Sequence, residues 1–528
     1  MDIQHTLQEC RIEAVLDNLG IQSISAKNLF KDQASRWTSH IPTLMARSNS
    51  WNSLKQKSES VWVSHLPTLL ENEKTLRELD PETASESQKE DWSQILFTGE
   101  LASLNCVPFA LMYIAFSKII IAPLIAWVMP IISIILPYFA LKYVYGLPIE
   151  WSDYWNMMKP MLFGGGMGLG NAGAANAGPN ITISTVLQWG SMLFSYAHGM
   201  YIPYTNAKHC YKIDQLMLKG AGAVIDTVSR LRSIADTWVS CGLRKPWSLP
   251  DPSIYGDERQ VVAWLVEDKH LLPQLYRAIG TVEIVAAICA EPALVPVEWR
   301  DSKVPSCKMV DAVDSLLPKE KRQPFNIVMG ASAHHAICTG PNRGGKSTFL
   351  RSVLTNLIFA HTWGVSFAAR CVMTPVEWVI SSLRLEDSPG KESLFEREVS
   401  VAGEILRRVR TRDSRGWVVI DELFHTTNPP DAATASQIFL RQLWESHMTT
   451  SIISTHMFSH AQEAPSNVQR LCVESIIGET GKIDYTYKVC SGINTMSSVE
   501  ELLLESGIMG ALSFDLKTSA DDLDKDVQ

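Results

Sequence analysis

The segment "CTGPNRGGKSTFLRSVL" constrains the fold of this chain more than any other stretch. Within it, Gly340-x-x-x-x-Gly345-Lys346-Ser347 fits the phosphate-binding pattern G-x-x-x-x-G-K-[ST] in full. The apolar run "HAIC" precedes it and "STFLRSVLTNLIFAHTW" comes after it, so the loop is expected to join a strand to a helix. Glycines in such a loop let successive backbone N–H groups turn inward on a phosphate, at the positive end of the next helix. Lys346 would reach the β/γ oxygens and Ser347 would hold Mg²⁺. From about residue 325, short β-branched runs ("HHAICTG", "RGWVVIDE", "TTSIISTH") alternate with helical stretches. That alternation predicts an α/β domain with a largely parallel sheet.

"GWVVIDE" reads as an apolar strand ending in Asp421 and Glu422, 75 residues after Lys346. A lone acidic pair after a strand is ordinarily a solvated turn. Beside a phosphate loop, Asp421 suits a Mg²⁺ ligand and Glu422 the general base for the attacking water. "STHMF" closes another apolar strand with His456. Ligands bind at the carboxyl ends of strands in such sheets, which makes His456 a candidate γ-phosphate sensor. "GKESLFEREVSVAGEILRRVR" reads as an amphipathic helix with Ser393 at its N-cap and Glu396 as capping-box partner. A Ser so placed can also meet a phosphate.

"TGPNRGGKSTFLR", "GKESLFEREVS", "VVIDELFHTTNPPDAATAS" and "ISTHMF" together resemble, in order and approximate spacing, the ATPase domain of the MutS family. That family belongs to the ABC-type ATPases and is best known from DNA mismatch repair. The resemblance is close over roughly residues 325–500 and loose over 206–300, the counterpart of the family's helical core. The family's T-G-P-N-x-x-G-K-S-T falls on Thr339, Gly340, Pro341, Asn342, Arg343, Gly344, Gly345, Lys346, Ser347 and Thr348, the implied ATP-binding residues. The trans-acting signature S-x-F-x-x-E falls on Ser393, Phe395 and Glu398, the D-loop Asp on Asp431, and the switch T-H on Thr455 and His456. The implied assembly is a homodimer or heterodimer through the ATPase domain, sandwiching two ATPs, with Ser393 of one chain reaching the other's nucleotide. Lys346, Glu422 and His456 are then the catalytic set, with Ser347 and Asp421 on Mg²⁺. The chain also departs from the family. Its G-R-G-T-S is here Phe424-His425-Thr426-Thr427-Asn428, with Pro429-Pro430 next, which alters the segment linking the two nucleotide sites. None of the sixteen phenylalanines begins the Phe-x-Glu wedge of a mismatch reader.

The other strong feature is "KIIIAPLIAWVMPIISIILPYFALK". Ile119–Leu141 holds 23 residues without Asp, Glu, Lys or Arg, about 34 Å of helix against a hydrocarbon core of about 30 Å. Pro160–Ala207 is a second charge-free stretch, of 48 residues, ending in "ITISTVLQWGSMLFSYAHGMYIPY". Pro123, Pro130 and Pro137 recur every seven residues and would kink an ordinary helix, whereas membrane helices tolerate proline better. Three readings stand: a transmembrane hairpin, a buried soluble hairpin, and a surface for a hydrophobic partner. Lys208, Lys212 and Lys219 favour a cytoplasmic position for the chain on the C-terminal side of a second span.

The expected architecture is therefore an ABC-type, MutS-like P-loop NTPase domain of α/β class, preceded by a mainly α-helical region containing a transmembrane hairpin. Residues 1–104 form a helical N-terminal region and 105–205 the apolar hairpin, with spans at 119–141 and 183–204. Residues 206–300 are a helical core or lever, 325–505 the ATPase domain and 506–528 an acidic tail. A net charge of -9 argues against a general nucleic-acid coat. Basic stretches at 407–415 and 319–323 lack interleaved aromatics and read as solvated faces. Ten scattered cysteines without a C-x-x-C pair fit a reducing, intracellular compartment. The ATPase would face the cytoplasm if the hairpin spans a membrane, and a nuclear location fits if it does not. Two outputs compete: an ATP-switched DNA clamp of the mismatch-repair kind, and a membrane-anchored ATPase acting on a membrane or protein partner.

Overall fold

In a computed structural model of the chain, the phosphate-loop segment joins a fully buried strand to a largely buried helix, and the C-terminal region is laid out around that joint. The structure describes residues 3–80, 82–163, 183–240, 243–251, 258–330, 332–383, 394–410, 414–422, 424, 426–477, 483–496, 498, 503 and 506. Two compact units are present: Met1–Pro67 with Ser233–Trp247 and Tyr276–Gln528, and Thr68–Arg232 with Ser248–Leu275.

Four helices open the chain: α1 (Ile3–Glu9), α2 (Ile12–Asn18), α3 (Ile24–Ser35) and α4 (Ile41–Arg77). Next come α5 (Glu86–Ser93), α6 (Pro108–Phe116), α7 (Ala122–Phe139), α8 (Trp151–Phe163), α9 (Ile183–Ser240), α10 (Glu258–Glu267) and α11 (Leu271–Ala290). The strands are β1 (Leu294–Trp299), β2 (Cys307–Ala312), β3 (Phe325–Met329), β4 (His335–Thr339), β5 (Val365–Phe367), β6 (Arg370–Met373), β7 (Trp378–Ser382), β8 (Gly416–Asp421), β9 (Thr449–Ser454), β10 (Val468–Ile477) and β11 (Ile483–Ser491). Among them lie α12 (Lys346–Trp363), α13 (Leu394–Val409), α14 (Pro429–Trp444) and α15 (Phe458–Gln462).

In the first unit the strands form two sheets, ordered β3-β2-β6-β1-β5 and β11-β10-β4-β9-β8-β7. In the second sheet β10, β4, β9, β8 and β7 run parallel, and β11 closes one edge antiparallel. β4 and β9 are buried at every residue, as strands covered on both faces must be. The C-terminal region is thus α/β with a largely parallel sheet. Fourteen of the eighteen residues of α12 are buried, so this helix is enclosed all round. Its one buried amide, Asn356, is satisfied by the Ser366 hydroxyl at 2.6 Å and the Phe367 N–H at 2.6 Å.

The tryptophan-rich N-terminal segment belongs to this unit. Trp37 and Trp51 donate their indole N–H groups to the carbonyls of Val376 and Trp363, at 2.7 and 2.6 Å, so each ring buries its body and satisfies its polar edge. Glu283 on α11 is buried and accepts from the backbone N–H of Gln22 and Ser23. Nearby on the same helix, Gly280 lets that segment approach: a Cβ there would lie 2.9 Å from the Ser25 carbonyl.

The second unit is helical. From Pro108 to Val144 helix is continuous, with π-type turns at Ser117–Ile121 and Ala140–Val144. Ala122 N–H reaches back five residues to the Ser117 carbonyl, which shifts the ladder by one residue just ahead of Pro123 and lets the helix pass it. The heptad-spaced prolines therefore do not break this helix. Two described helices are long and apolar enough to cross a membrane: Pro108–Val144, with none of its apolar window buried, and α11, whose window is two-thirds buried. The first contains the expected span 119–141. The expected second span, 183–204, opens the 58-residue α9 and is not among them. Gln188, Ser191, Ser195 and His198 dilute its apolar character.

Two buried histidines set a pH dependence. His335 at the start of β4 donates Nε2–H to the Ser446 carbonyl and accepts from Ser451 at Nδ1. His361 on α12 donates Nδ1–H to the Leu357 carbonyl and accepts the Val376 N–H at Nε2. Each is neutral in these bonds, and burial pulls each pKa down to about 4. The unfolded chain takes up these protons near pH 6.5, so stability present at neutral pH falls as pH drops from about 6.5 towards 4. Denaturant unfolding at pH 7 and pH 5 should show a lower midpoint at pH 5, and His361→Gln should shrink the difference.

Candidate functional site

The site forms where β4, β8 and β9 end side by side. β9 lies between β4 and β8, so the loop after β4, the acids after β8 and the histidine after β9 converge on one sheet edge.

Loop geometry depends on two glycines. Gly345 sits at φ +102° and caps α12, where the Tyr487 ring leaves a Cβ only 3.2 Å of room. Gly340 sits at φ +149°, with Val473 O 3.3 Å from where a Cβ would be. Arg343 also takes a left-handed conformation, at φ +64°, and like Asn342 is exposed. Thr339 is buried and its hydroxyl accepts the Asn494 N–H at 2.9 Å, which ties the start of the loop to the segment after β11.

Lys346 is buried, and its ammonium donates to the carbonyls of Gly340 and Pro341 at 3.0 and 3.2 Å. Burial pulls its pKa below the ordinary lysine value, opposed by the charges of Glu422 and Asp421. His456 Nε2 lies 2.7 Å from Glu422 Oε1 and 3.2 Å from Lys346 Nζ. The three expected catalytic side chains therefore form one chain of contacts. Ser347 and Thr348 lie in the first turn of α12, both partly exposed.

Glu422 holds a left-handed backbone, φ +56°, that a non-glycine residue adopts only when its surroundings impose it. Ser454 at the end of β9 imposes it. The Glu422 N–H bonds the Ser454 carbonyl and hydroxyl, at 3.3 and 3.2 Å, and that hydroxyl donates to Asp421 Oδ1. Sequence reasoning singled out Thr455 and His456 and passed over Ser454. The available signal was its place as the last residue of the same buried strand.

The segment that departs from the family pattern has a structural task. Phe424, also left-handed at φ +57°, buries its ring near those of Phe395 and Phe439. Thr426 donates to the buried carboxylate of Glu398 at 2.7 Å. Phe395 and Glu398 on α13 are thereby held to the segment after the acids within the same chain. Asp431 is exposed in the first turn of α14, its N–H and carboxylate both bonded to the N-cap Asn428. Ser393 and His425 lie outside the described residues.

The donor set suits Mg²⁺ carried by a nucleotide. Asp421 and Ser347 offer a carboxylate and a hydroxyl, hard oxygens of the kind this ion prefers, and among the described residues no group of three His, Cys, Asp or Glu could hold a metal unaided. Such an ion takes its remaining ligands from phosphate and water. Beside Gly345 and Thr348 opens a cavity of about 270 Å³, walled by Phe325, Phe349, Tyr487 and Val489.

The family model for MutS domain V matches residues 336–501, which contain β8, β9, all of β4 but its first residue, and the loop, acids and histidine described above. DNA mismatch repair protein MutS of Treponema pallidum is 27% identical over 186 residues, 34% of this chain and 20% of that protein. DNA mismatch repair protein msh3 of Aspergillus niger is 24% identical over 269 residues, 48% of this chain and 23% of that protein. The msh3 protein of Aspergillus fumigatus is 26% identical over 223 residues, 40% and 19% of the two chains. The chain thus spans about a fifth of the length of these relatives. Residues 336–501 of this chain are thus similar to domain V of the MutS family.

Proposed function

We propose that this chain is a Mg²⁺-dependent ATPase that binds and hydrolyses ATP as a homodimer or heterodimer. The observation that carries the reading is the convergence of Lys346, Glu422 and His456 beside a glycine loop, with Asp421 held next to them by Ser454. ATP with Mg²⁺ supplies the phosphoryl group to be transferred. The loop amides and Lys346 stabilise charge on the phosphate oxygens, and Ser347 with Asp421 holds the ion. Glu422 orients the attacking water and takes its proton, while His456, bonded to that carboxylate, senses the γ-phosphate. The cavity walled by Phe325 and Tyr487 is adjacent to the loop and apolar enough to receive the base. The matched signature on Phe395 and Glu398, with Ser393 ahead of them, supports pairing of two ATPase domains.

The family supports an output in which nucleotide state opens and closes a clamp on DNA, as the relatives' names suggest. One observation favours a second reading, a membrane-anchored ATPase acting on a membrane or protein partner with the ATPase on the cytoplasmic side. The helix Pro108–Val144 exposes Leu124, Ile125, Trp127, Met129, Ile131 and Leu136. Its 37 residues extend about 55 Å, more than a hydrocarbon core requires. Lys118 and Lys142 stand 24 residues apart, about 36 Å, a spacing that suits one ammonium near each interface.

Glu422→Gln should retain ATP binding and lose hydrolysis by roughly 10²- to 10⁴-fold; hydrolysis left intact would remove Glu422 from its role. Ser454→Ala should lower kcat about tenfold with little change in ATP affinity, because its hydroxyl positions Asp421 and Glu422. Equal losses in both parameters would mark it as a binding residue. Alkaline carbonate should leave the protein in the membrane fraction, and paired Ile125→Glu and Ile132→Glu substitutions should release it. Release of the unaltered protein, together with a salt-steep affinity for duplex DNA that stimulates hydrolysis, would favour the clamp.

A further inference from the structure

We propose that Cys472 and Cys490 form a reversible cross-strand disulfide that weakens nucleotide binding. The two cysteines are direct partners in the antiparallel pairing of β10 with β11, so their side chains leave the same face of the sheet. Directly paired residues have Cα atoms about 4.5–5.5 Å apart, inside the range a disulfide spans. Their Cβ atoms, about 4.5–5.5 Å apart, must close somewhat further than the strands place them. A bond made that way is strained and easily reduced, the behaviour of a regulatory disulfide in a reducing compartment. Both thiols are free and partly exposed, so an oxidant can reach them.

Oxidation reaches the nucleotide site through the other neighbours of β10 and β11. Cys472 also pairs with Thr339 on β4, the residue immediately before the loop. The next residue, Val473, backs Gly340 with no slack, its carbonyl and Cβ lying 3.3 and 3.4 Å from the Gly340 Cβ position. Three residues before Cys490, the Tyr487 ring presses on Gly345 at 3.2 Å. An irregularity in the β10–β11 register lets Tyr487 do so, its own backbone at φ +58°. Drawing Cys472 and Cys490 together therefore moves the backing of both glycines that shape the phosphate loop.

With hydrogen peroxide as oxidant, one thiolate attacks a peroxide oxygen, breaking the O–O bond to give a sulfenic acid and one water after proton transfer. The second thiol attacks the sulfenic sulfur, the S–S bond forms and a second water leaves. Two thiols lose two electrons and the peroxide gains them. Burial and the neighbouring Cys490 hold the Cys472 thiol above its ordinary range, so the reaction quickens as pH rises.

The coupling half of this proposal rests on the ATPase reading, whereas the disulfide half does not. The full-length protein is treated with peroxide, alkylated without reduction and mapped by mass spectrometry, and a fluorescent ATP analogue is titrated into oxidised and reduced samples. A linked peptide pair holding Cys472 and Cys490, lighter by two hydrogens, is expected. Affinity should weaken about five- to tenfold on oxidation, at the low end of couplings between sites. Dithiothreitol should restore it, and Cys472→Ser and Cys490→Ser should each abolish the redox effect while keeping the reduced affinity. Full alkylation of both cysteines under conditions that oxidise the exposed Cys106 overturns the disulfide. Equal affinities in the linked and reduced forms overturn the coupling. A reduced protein that binds no nucleotide removes the ATPase reading and the coupling with it, while the mass map still decides the disulfide.

Discussion

Lys346 is a buried cation, and the site is organised around it. Its ammonium is solvated by two loop carbonyls, and charge balance comes from Asp421 and Glu422 at the end of β8. Carbonyl dipoles alone seldom sustain a buried charge, so the acids must stay close. Asp421 and Glu422 can do so only because β9 separates β8 from β4 and brings Ser454 and His456 to the same edge. An arriving phosphate would exchange the carbonyls for oxyanions as partners of this ammonium, which is why burial with weak partners suits a binding lysine better than a firm ion pair.

The same economy explains the departures after β8. A family segment rich in glycine would make its turns without side-chain support. Here two non-glycine residues, Glu422 and Phe424, take left-handed conformations within three positions, and each is held by something specific. Glu422 is held by Ser454, and Phe424 by burial among Phe395 and Phe439. Thr426 then secures α13 through Glu398. The substituted segment thus links the acids to the signature helix within one chain, a mechanical route by which a change at Glu422 could reach Phe395.

The loop was legible from the sequence because its chemistry is local: eight consecutive residues, a strand before and a helix after, each marked by its own periodicity. Asp421, Glu422 and His456 were legible one step further, as strand-end residues at the carboxyl edge of a parallel sheet, where ligands of such folds bind. Ser454 was not, since a serine closing an apolar strand carries no pattern until the strand beside it is known. Thr426 and Glu398 are 28 positions apart, and no spacing rule pairs them. Nor do the N-terminal tryptophans announce their acceptors, which lie some 300 residues away. The apolar stretch stands out by composition, but a charge-free window is a weaker criterion than an apolar one. Residues 183–204 pass the first and, diluted by glutamine, histidine and serine, fail the second.

Pro108–Val144 is the longer of the two described helices apolar enough to span a membrane. Two matched spans would cross together and return the chain to its starting side. The helix Pro108–Val144, of 37 residues and about 55 Å long, exceeds a bilayer's hydrocarbon thickness, so the membrane-anchored reading proposed above would require a steep tilt or a partial entry. An aromatic cluster stands at its C-terminal end. Tyr138, Phe139, Tyr143, Trp151 and Tyr154 pack on one another, and Tyr154 donates to the Ile134 carbonyl, tying α8 back onto α7. Tyrosine and tryptophan settle where apolar and aqueous phases meet. Within the membrane-anchored reading, a cluster of them beside Lys142, whose ammonium donates to the Tyr138 hydroxyl, would stand at the boundary between water and lipid.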